Sequence, residues 1–275
     1  MSLASVLAAL DDWPVPHAAA AVVGVNGVLA AHGETDRVFP LASVTKPLAA
    51  LAALVAVEEE AVSLDDPADQ DVLPGATLRH LLAHASGYAP ERPLRSFPPA
   101  TRRVYSNVGI ERVGTLVAAG TGMPFAAYLD EAIVRPLRLS ATTLAGSPAR
   151  DGRSTVDDLA RVVFELLAPT GLLAASTLAD ATSVQYPGLR GVLPGFGGQD
   201  PNDWGLGFEL RGTKSPHWTG TRNSPRTYGH FGQSGTMFWI DPDVRVGLVA
   251  LADAPFGAWA ADAWPRLSDA VLAAL

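Results

Sequence analysis

Strand-like segments lie at both ends of this chain and helical ones fill its middle, which leaves few folds open to it. Residues 18–33 read as a β-hairpin, Ala18–Val25 and Val28–His32, about an Asn26-Gly27 pair suited to a type I′ turn. Strands return only from Trp204 onward: Trp204–Leu210, Tyr228–Phe231, Thr236–Ile240 and Arg245–Ala252, the last two joined at Asp241-Pro242-Asp243. Residues 76–185 read as mainly helical, with helices expected over Thr77–His84, Val108–Ala119 (closed by Gly120), Phe125–Val134 and Leu159–Leu167. Ser154-Thr155 ahead of Asp157-Asp158 gives the last of these a capping-box pattern, and Ala258–Leu275 reads as an amphipathic helix. A sheet assembled from hairpins at the two termini must be largely antiparallel. The expected fold class is therefore α+β, an antiparallel sheet flanked by helices with a helical lobe inserted. Residues 1–275 form a single domain in this reading, with an α/β lobe from about 1–70 and 195–275 and a helical lobe over about 71–194. The site is expected in the cleft between lobes.

Composition narrows the chemistry. With 48% hydrophobic and 17% charged residues the chain is a folded globular one. A net charge of −8 and the lack of any basic run argue against nucleic acid as a partner. Cysteine is absent, which removes disulfides, thiolate metal sites and cysteine nucleophiles together. The longest apolar run, Pro47–Val57, stops at Glu58-Glu59-Glu60 and is too short to span a bilayer, so no membrane partner is expected. No basic n-region precedes Asp11-Asp12, so the expected location is cytoplasmic.

The cationic residues number 20, yet only Lys46 and Lys214 are lysine. Arginine serves wherever a mere positive charge is wanted, so a lysine three residues after Ser43 is informative. An arginine cannot give up its proton, whereas a desolvated lysine can. At the start of a helix expected over Ser43 to about Glu60, Ser43 and Lys46 share one face, a nucleophile with a base in reach. Two further segments carry chemistry. In Tyr105-Ser106-Asn107 the phenol has an unperturbed pKa near 10, and a neighbouring ammonium is expected to lower it enough to act as a base. In His230-Phe231-Gly232-Gln233-Ser234-Gly235, at the end of a strand, glycine would let substrate backbone lie close.

The order Ser-x-x-Lys, Tyr-x-Asn, His-x-Gly resembles the serine β-lactamase and penicillin-binding-protein superfamily, in its class C β-lactamase, D-alanyl-D-alanine carboxypeptidase and esterase branch. Leu81-Leu82-Ala83-His84-Ala85-Ser86-Gly87 and Trp239-Ile240-Asp241-Pro242 are similar to further stretches of that family. The likeness covers about Ala18 to Ala252 and implies a β-lactamase/transpeptidase-like fold. It further implies Ser43 as nucleophile, Lys46 and Tyr105 as the proton-transfer pair, and Asn107 on the acyl side of the substrate. The backbone N–H groups of Ser43 and Gln233, beside Gly232, would form the oxyanion hole. His230 stands where lysine is common, and its charge is then expected to depend on pH.

One departure bears on the substrate. Phe231 replaces the threonine or serine whose hydroxyl helps bind a carboxylate. Arg222 and Arg226 are the alternative carboxylate receptors. His80 and His84 are spaced i, i+4, but no glutamate lies between them as a metalloprotease would require, and neither metal nor cofactor is expected. The resulting reading is a serine hydrolase that forms an acyl-enzyme on Ser43, a carboxylesterase acting on small esters. The alternatives are a β-lactamase or D-alanyl-D-alanine carboxypeptidase-like peptidase, with an amide substrate, and a non-catalytic binding module of the same fold.

Overall fold

The computed structural model describes all 275 residues. Six strands form the main sheet: β1 (Ala18–Gly24), β2 (Gly27–His32), β3 (Glu209–Leu210), β4 (Tyr228–Gly232), β5 (Thr236–Asp241) and β6 (Val246–Ala252). Their order is β3-β4-β5-β6-β1-β2, and every pairing is antiparallel. The α+β fold expected from the sequence is the one observed. The first and last strands of the chain meet at the centre, with Ala18 opposite Ala252 and Gly24 opposite Val246.

Alternation along the strands builds two cores. Ala19, Ala21, Val23, Phe238, Ile240, Val249 and Leu251 face one layer of helices, whereas Ala20, Val22, Met237, Trp239, Leu248 and Ala250 face another. The second layer consists of α1 (Leu3–Leu7) and the C-terminal helix Ala258–Ala273, through Leu7, Trp264, Leu267 and Val271. The first contains α2 (Thr45–Glu58), which is buried over nearly its whole circumference and lies between the sheet and the helical lobe. Its alanines permit close packing: a side chain on Gly207 would overlap Ala50.

The helical lobe is made of α3 (Leu78–Leu82), α4 (Asn107–Thr121) and α5 (Phe125–Leu129), packed on one another and on α2. The lobe does not take in all of residues 71–194. Helix α6 (Val156–Leu167), capped by the Thr155 hydroxyl on Asp158 N–H, lies against β1 and β6 and so belongs to the sheet. The short strand Gly152–Ser154 likewise pairs with Phe39–Pro40, ahead of the Ser43 segment. Three local expectations also change. The 24–27 turn has a single positive-φ residue, Gly27 at 116°, with a bulge at Val22/Val23, and is not type I′. Helix α4 continues to Thr121 and closes on Gly122, φ 70°. Trp204–Leu210 is no continuous strand, because Gly207 at φ 85° turns the chain, so that Trp204 bridges back to Glu209 and only Glu209–Leu210 join the sheet. No helix is long and apolar enough to cross a membrane.

Candidate active site

Ser43 sits in a single 3₁₀ turn, Ala42–Val44, that feeds directly into α2. Ala42 before it holds φ 45°, a left-handed conformation costing of order 1 kcal/mol in a non-glycine residue, and such strain collects at functional positions. The turn is pinned from the sheet: Thr236 Oγ1 donates to Leu41 O at 2.8 Å and Ser234 Oγ to Pro40 O at 2.6 Å. Gly232 is required by this contact. A Cβ there would overlap the Leu41 carbonyl and lie 3.1 Å from Ser43 N, so the glycine makes room for the nucleophile's own backbone rather than for a substrate's. The Ser43 amide is thereby brought beside residues 232–233, and Gln233 lines the same cavity as Ser43.

Lys46, one turn on, is wholly buried. Its Nζ lies 2.7 Å from Asn107 Oδ1, 2.8 Å from Ala149 O and 3.1 Å from Ser43 Oγ. Burial depresses its pKa to about 7, against a smaller upward pull from Glu91 and a downward one from Arg150. A neutral amine has two N–H groups and one lone pair. The two carbonyl oxygens take the N–H groups, which leaves the lone pair for the Ser43 hydroxyl. In this arrangement the amine can accept the serine proton.

The Tyr105 phenol faces the Ser43 side chain, and its ring lies 4.7 Å from Lys46 Nζ. The expectation of a lowered phenol pKa fails: burial among His84, Trp204 and His230 pushes the hydroxyl up instead. Tyr105 is thus a phenol at neutral pH and can give a proton. Asn107 also takes a part the sequence did not assign: its Oδ1 faces Lys46 and one N–H of its Nδ2 donates to Glu91 Oε1 at 2.5 Å, so the amide holds the amine and keeps its second N–H.

His230 faces the site but carries no pH-dependent charge near neutrality. Burial, reinforced by Lys46, holds its pKa down to about 3. Nδ1 donates to Phe231 O at 2.7 Å, so Nε2, which has no partner, is an acceptor. Phe231 closes one side of the cavity while its ring packs against Phe256, Phe196, Trp218 and Trp264 at centroid distances of 5.1–5.9 Å. Arg222 and Arg226 lie elsewhere: the Arg222 backbone bonds Asp269, the Arg226 side chain pairs with Asp243, and neither lines the cavity.

Several contributors have roles that the sequence did not assign. His84, at φ 52°, grips both sides of Tyr105. Its carbonyl accepts from Val104 N–H at 2.9 Å, its Nδ1 accepts from Ser106 N–H at 3.2 Å, and its ring packs against the phenol ring at a centroid distance of 4.7 Å, tilted by 46°. Glu209 reaches the cavity wall while bonded to Lys214, His217 and Trp218; burial alone would raise its carboxyl, but His217 and Lys214 draw it down to about 2. The narrow, partly open space beside Ser43 is about 40 Å³, bounded also by Leu193, Pro194 and Trp204. That admits only a few non-hydrogen atoms.

The fold and the buried Ser-Lys-Tyr cluster are those of the serine β-lactamase and penicillin-binding-protein type. The Beta-lactamase family model matches residues 8–273, and the chain belongs to that family. A crystal structure of a β-lactamase from Mycobacterium bovis is 55% identical, covers 98% of each chain and superposes with a TM-score of 0.95. EstCE1, a hydrolase with promiscuous acyltransferase activity, shares the fold at 17% identity and a TM-score of 0.79, covering 98% of this chain and 97% of its own. An Escherichia coli protein with a provisional D-alanyl-D-alanine carboxypeptidase name is 26% identical over 204 residues, 58% of this chain and 46% of that one. The chain thus spans about half the length of the curated relatives it matches.

Proposed function

We propose that this protein is a carboxylesterase for esters with small, neutral acyl groups, working through an acyl-enzyme on Ser43. The observation that carries this reading is the cavity beside Ser43. It holds about 40 Å³, no lysine or arginine lines it, and its one ionised wall residue is the carboxylate of Glu209. A buried anion unpaired by a donor loses several kcal/mol of solvation. His230, neutral and offering only an acceptor, supplies no such donor.

In this mechanism Ser43 Oγ attacks the ester carbonyl as its proton passes to the Lys46 amine. The carbonyl oxygen, now negative, is held by the amides of Ser43 and Gln233, an arrangement typically worth about 3–4 kcal/mol per donor. The C–O bond to the alcohol breaks as Tyr105 donates its proton to the departing oxygen, and the Lys46 ammonium restores the phenol. Water then attacks the acyl carbon, its proton following the same path to Lys46 and on to Ser43 Oγ. His230 Nε2 accepts a hydrogen bond from that water.

The 55%-identical Mycobacterium bovis structure, described as a β-lactamase, favours a second reading, β-lactam hydrolysis on the same serine. Steady-state kinetics on p-nitrophenyl acetate and nitrocefin separate the two. The lack of one charged hydrogen bond to the β-lactam carboxylate should favour the ester roughly ten- to a hundred-fold in kcat/KM. A nitrocefin kcat/KM equal to or above that of the ester would install the second reading.

A further inference from the structure

A second, open groove of about 440 Å³ adjoins the cavity that holds Ser43. Tyr105 and Pro194 border both spaces, whereas Ser43 and Gln233 border only the narrow one. That division assigns the two halves of an ester. An acyl group bonded to Ser43 Oγ, with its oxygen at the Ser43 and Gln233 amides, must occupy the narrow space of about 40 Å³. In the mechanism above the alcohol leaves beside Tyr105, and Tyr105 is one of the residues that border the groove.

We infer that this groove is a subsite for the alcohol portion of the substrate, selective for alcohols that carry a flat apolar ring; the inference rests on the acyl-enzyme reading above. Its walls are mostly apolar and open to solvent. Phe97 is 37% exposed and Val192 56% exposed, and both line the groove. Large hydrophobic side chains exposed along one groove offer a ligand apolar area to cover. The Arg102 guanidinium lies over the Phe97 ring, 5.2 Å from its centre, so this wall presents a cation and an aromatic face together, and an aromatic ring suits both. The walls are also fixed in advance. Buried Arg103 donates to the carbonyls of Ala83 (2.5 Å), Gln185 (2.7 Å) and Asn202 (3.0 Å), and its amide bonds Arg190 O at 3.0 Å. Ser96 N–H meanwhile ties the Phe97 loop to Gly87 O at 2.8 Å. A preformed groove spends little binding energy on ordering.

The test compares benzyl acetate with ethyl acetate on wild type, Phe97→Ala and Val192→Ser, with 2-naphthol binding followed by fluorescence on the same three proteins. Both changed side chains are at the surface, so folding is not at stake. Partial burial of a phenyl ring is worth roughly tenfold, so wild type should favour benzyl acetate by about that factor in kcat/KM, mainly through KM. Each variant should lose most of that preference, keep its ethyl acetate rate and bind naphthol more weakly. Equal effects on both esters, or unchanged preference and naphthol binding, would overturn the subsite. Naphthol binding that weakens in both variants, with no ester turned over by wild type, would keep the subsite and remove the esterase reading.

Discussion

Glu91 Oε1 accepts a 2.5 Å hydrogen bond from Asn107 Nδ2, while the opposite end of that amide accepts from Lys46 Nζ at 2.7 Å. A carboxylate at the surface is thereby joined to a buried amine through a single side chain. Arg150 Nη1 stands 3.5 Å from Glu91 Oε2, so the amine feels an anion and a cation whose effects oppose one another. Burial sets the level near 7, and these two charges trim it.

The first prediction is the pH profile. The neutral amine is the active form, so kcat/KM for p-nitrophenyl acetate should fall as pH drops through about 7. Glu91 stabilises the ammonium; Glu91→Gln should lower the Lys46 pKa and carry the acid limb to lower pH. Arg150→Gln removes a repelling cation and should carry it to higher pH. Displacement of both limbs in one direction would show that Lys46 is not the group titrating.

Lys46→Arg isolates proton transfer from charge. An arginine keeps the cation but not the lone pair. Acylation should slow by roughly 10²–10⁴-fold, the usual share of general-base catalysis. A variant that stays folded by circular dichroism and retains most of its rate would leave lysine as a charge holder only.

His84→Ala tests the clamp on Tyr105. The change leaves the buried Ser106 N–H without its acceptor, a cost of about 1–3 kcal/mol, and frees the phenol to drift. A displacement of about 1 Å can cost on the order of a hundredfold, so kcat should fall while the acid limb of the pH profile stays in place. His84→Asn tolerates the left-handed backbone better and should recover part of the thermal stability. A shifted acid limb in His84→Ala would mean that the ring acts on Lys46 rather than on Tyr105.

The fold and the site were unequally legible in the sequence. Ser43 and Lys46 show themselves because one turn places both, and the hairpin and terminal strands because their short apolar runs, buried at nearly every residue in β1, β5 and β6, stand between turn residues. Asn107 also stands out in sequence, but its role depends on what its amide meets. That is Glu91, 16 residues away in a loop, and Lys46 on another helix. Ala149 contributes only a carbonyl, which no residue type announces. The Tyr105 and His230 pKa directions follow from burial, and burial is a tertiary property: a nearby ammonium lowers a phenol in water, but enclosure by three rings reverses the sign. Helix α6 looked like part of the helical lobe because it follows the other helices in the chain; the strand just before it, paired near Ser43, carries it back onto the sheet.

Phe231→Thr joins stability to selectivity. The ring is 6% exposed and is shared among four aromatic neighbours, so truncation should cost about 3–5 kcal/mol, the range for a buried Phe→Ala change. The melting temperature should drop accordingly. Where the variant remains folded, its new hydroxyl adds a donor at the cavity wall, and nitrocefin acylation should rise relative to ester turnover. An unchanged ratio would show that this strand does not meet the substrate carboxylate.

The central claim is that Ser43 becomes acylated because buried Lys46 removes its proton. The most direct measurement is intact-mass and peptide-mapping mass spectrometry after brief exposure to p-nitrophenyl acetate and an acid quench. One acetyl group should appear on the peptide containing Ser43 in the wild type, be absent in Ser43→Ala, and accumulate far more slowly in Lys46→Arg. An acetyl adduct that persists in Ser43→Ala, or that forms at the wild-type rate in Lys46→Arg, would contradict the account.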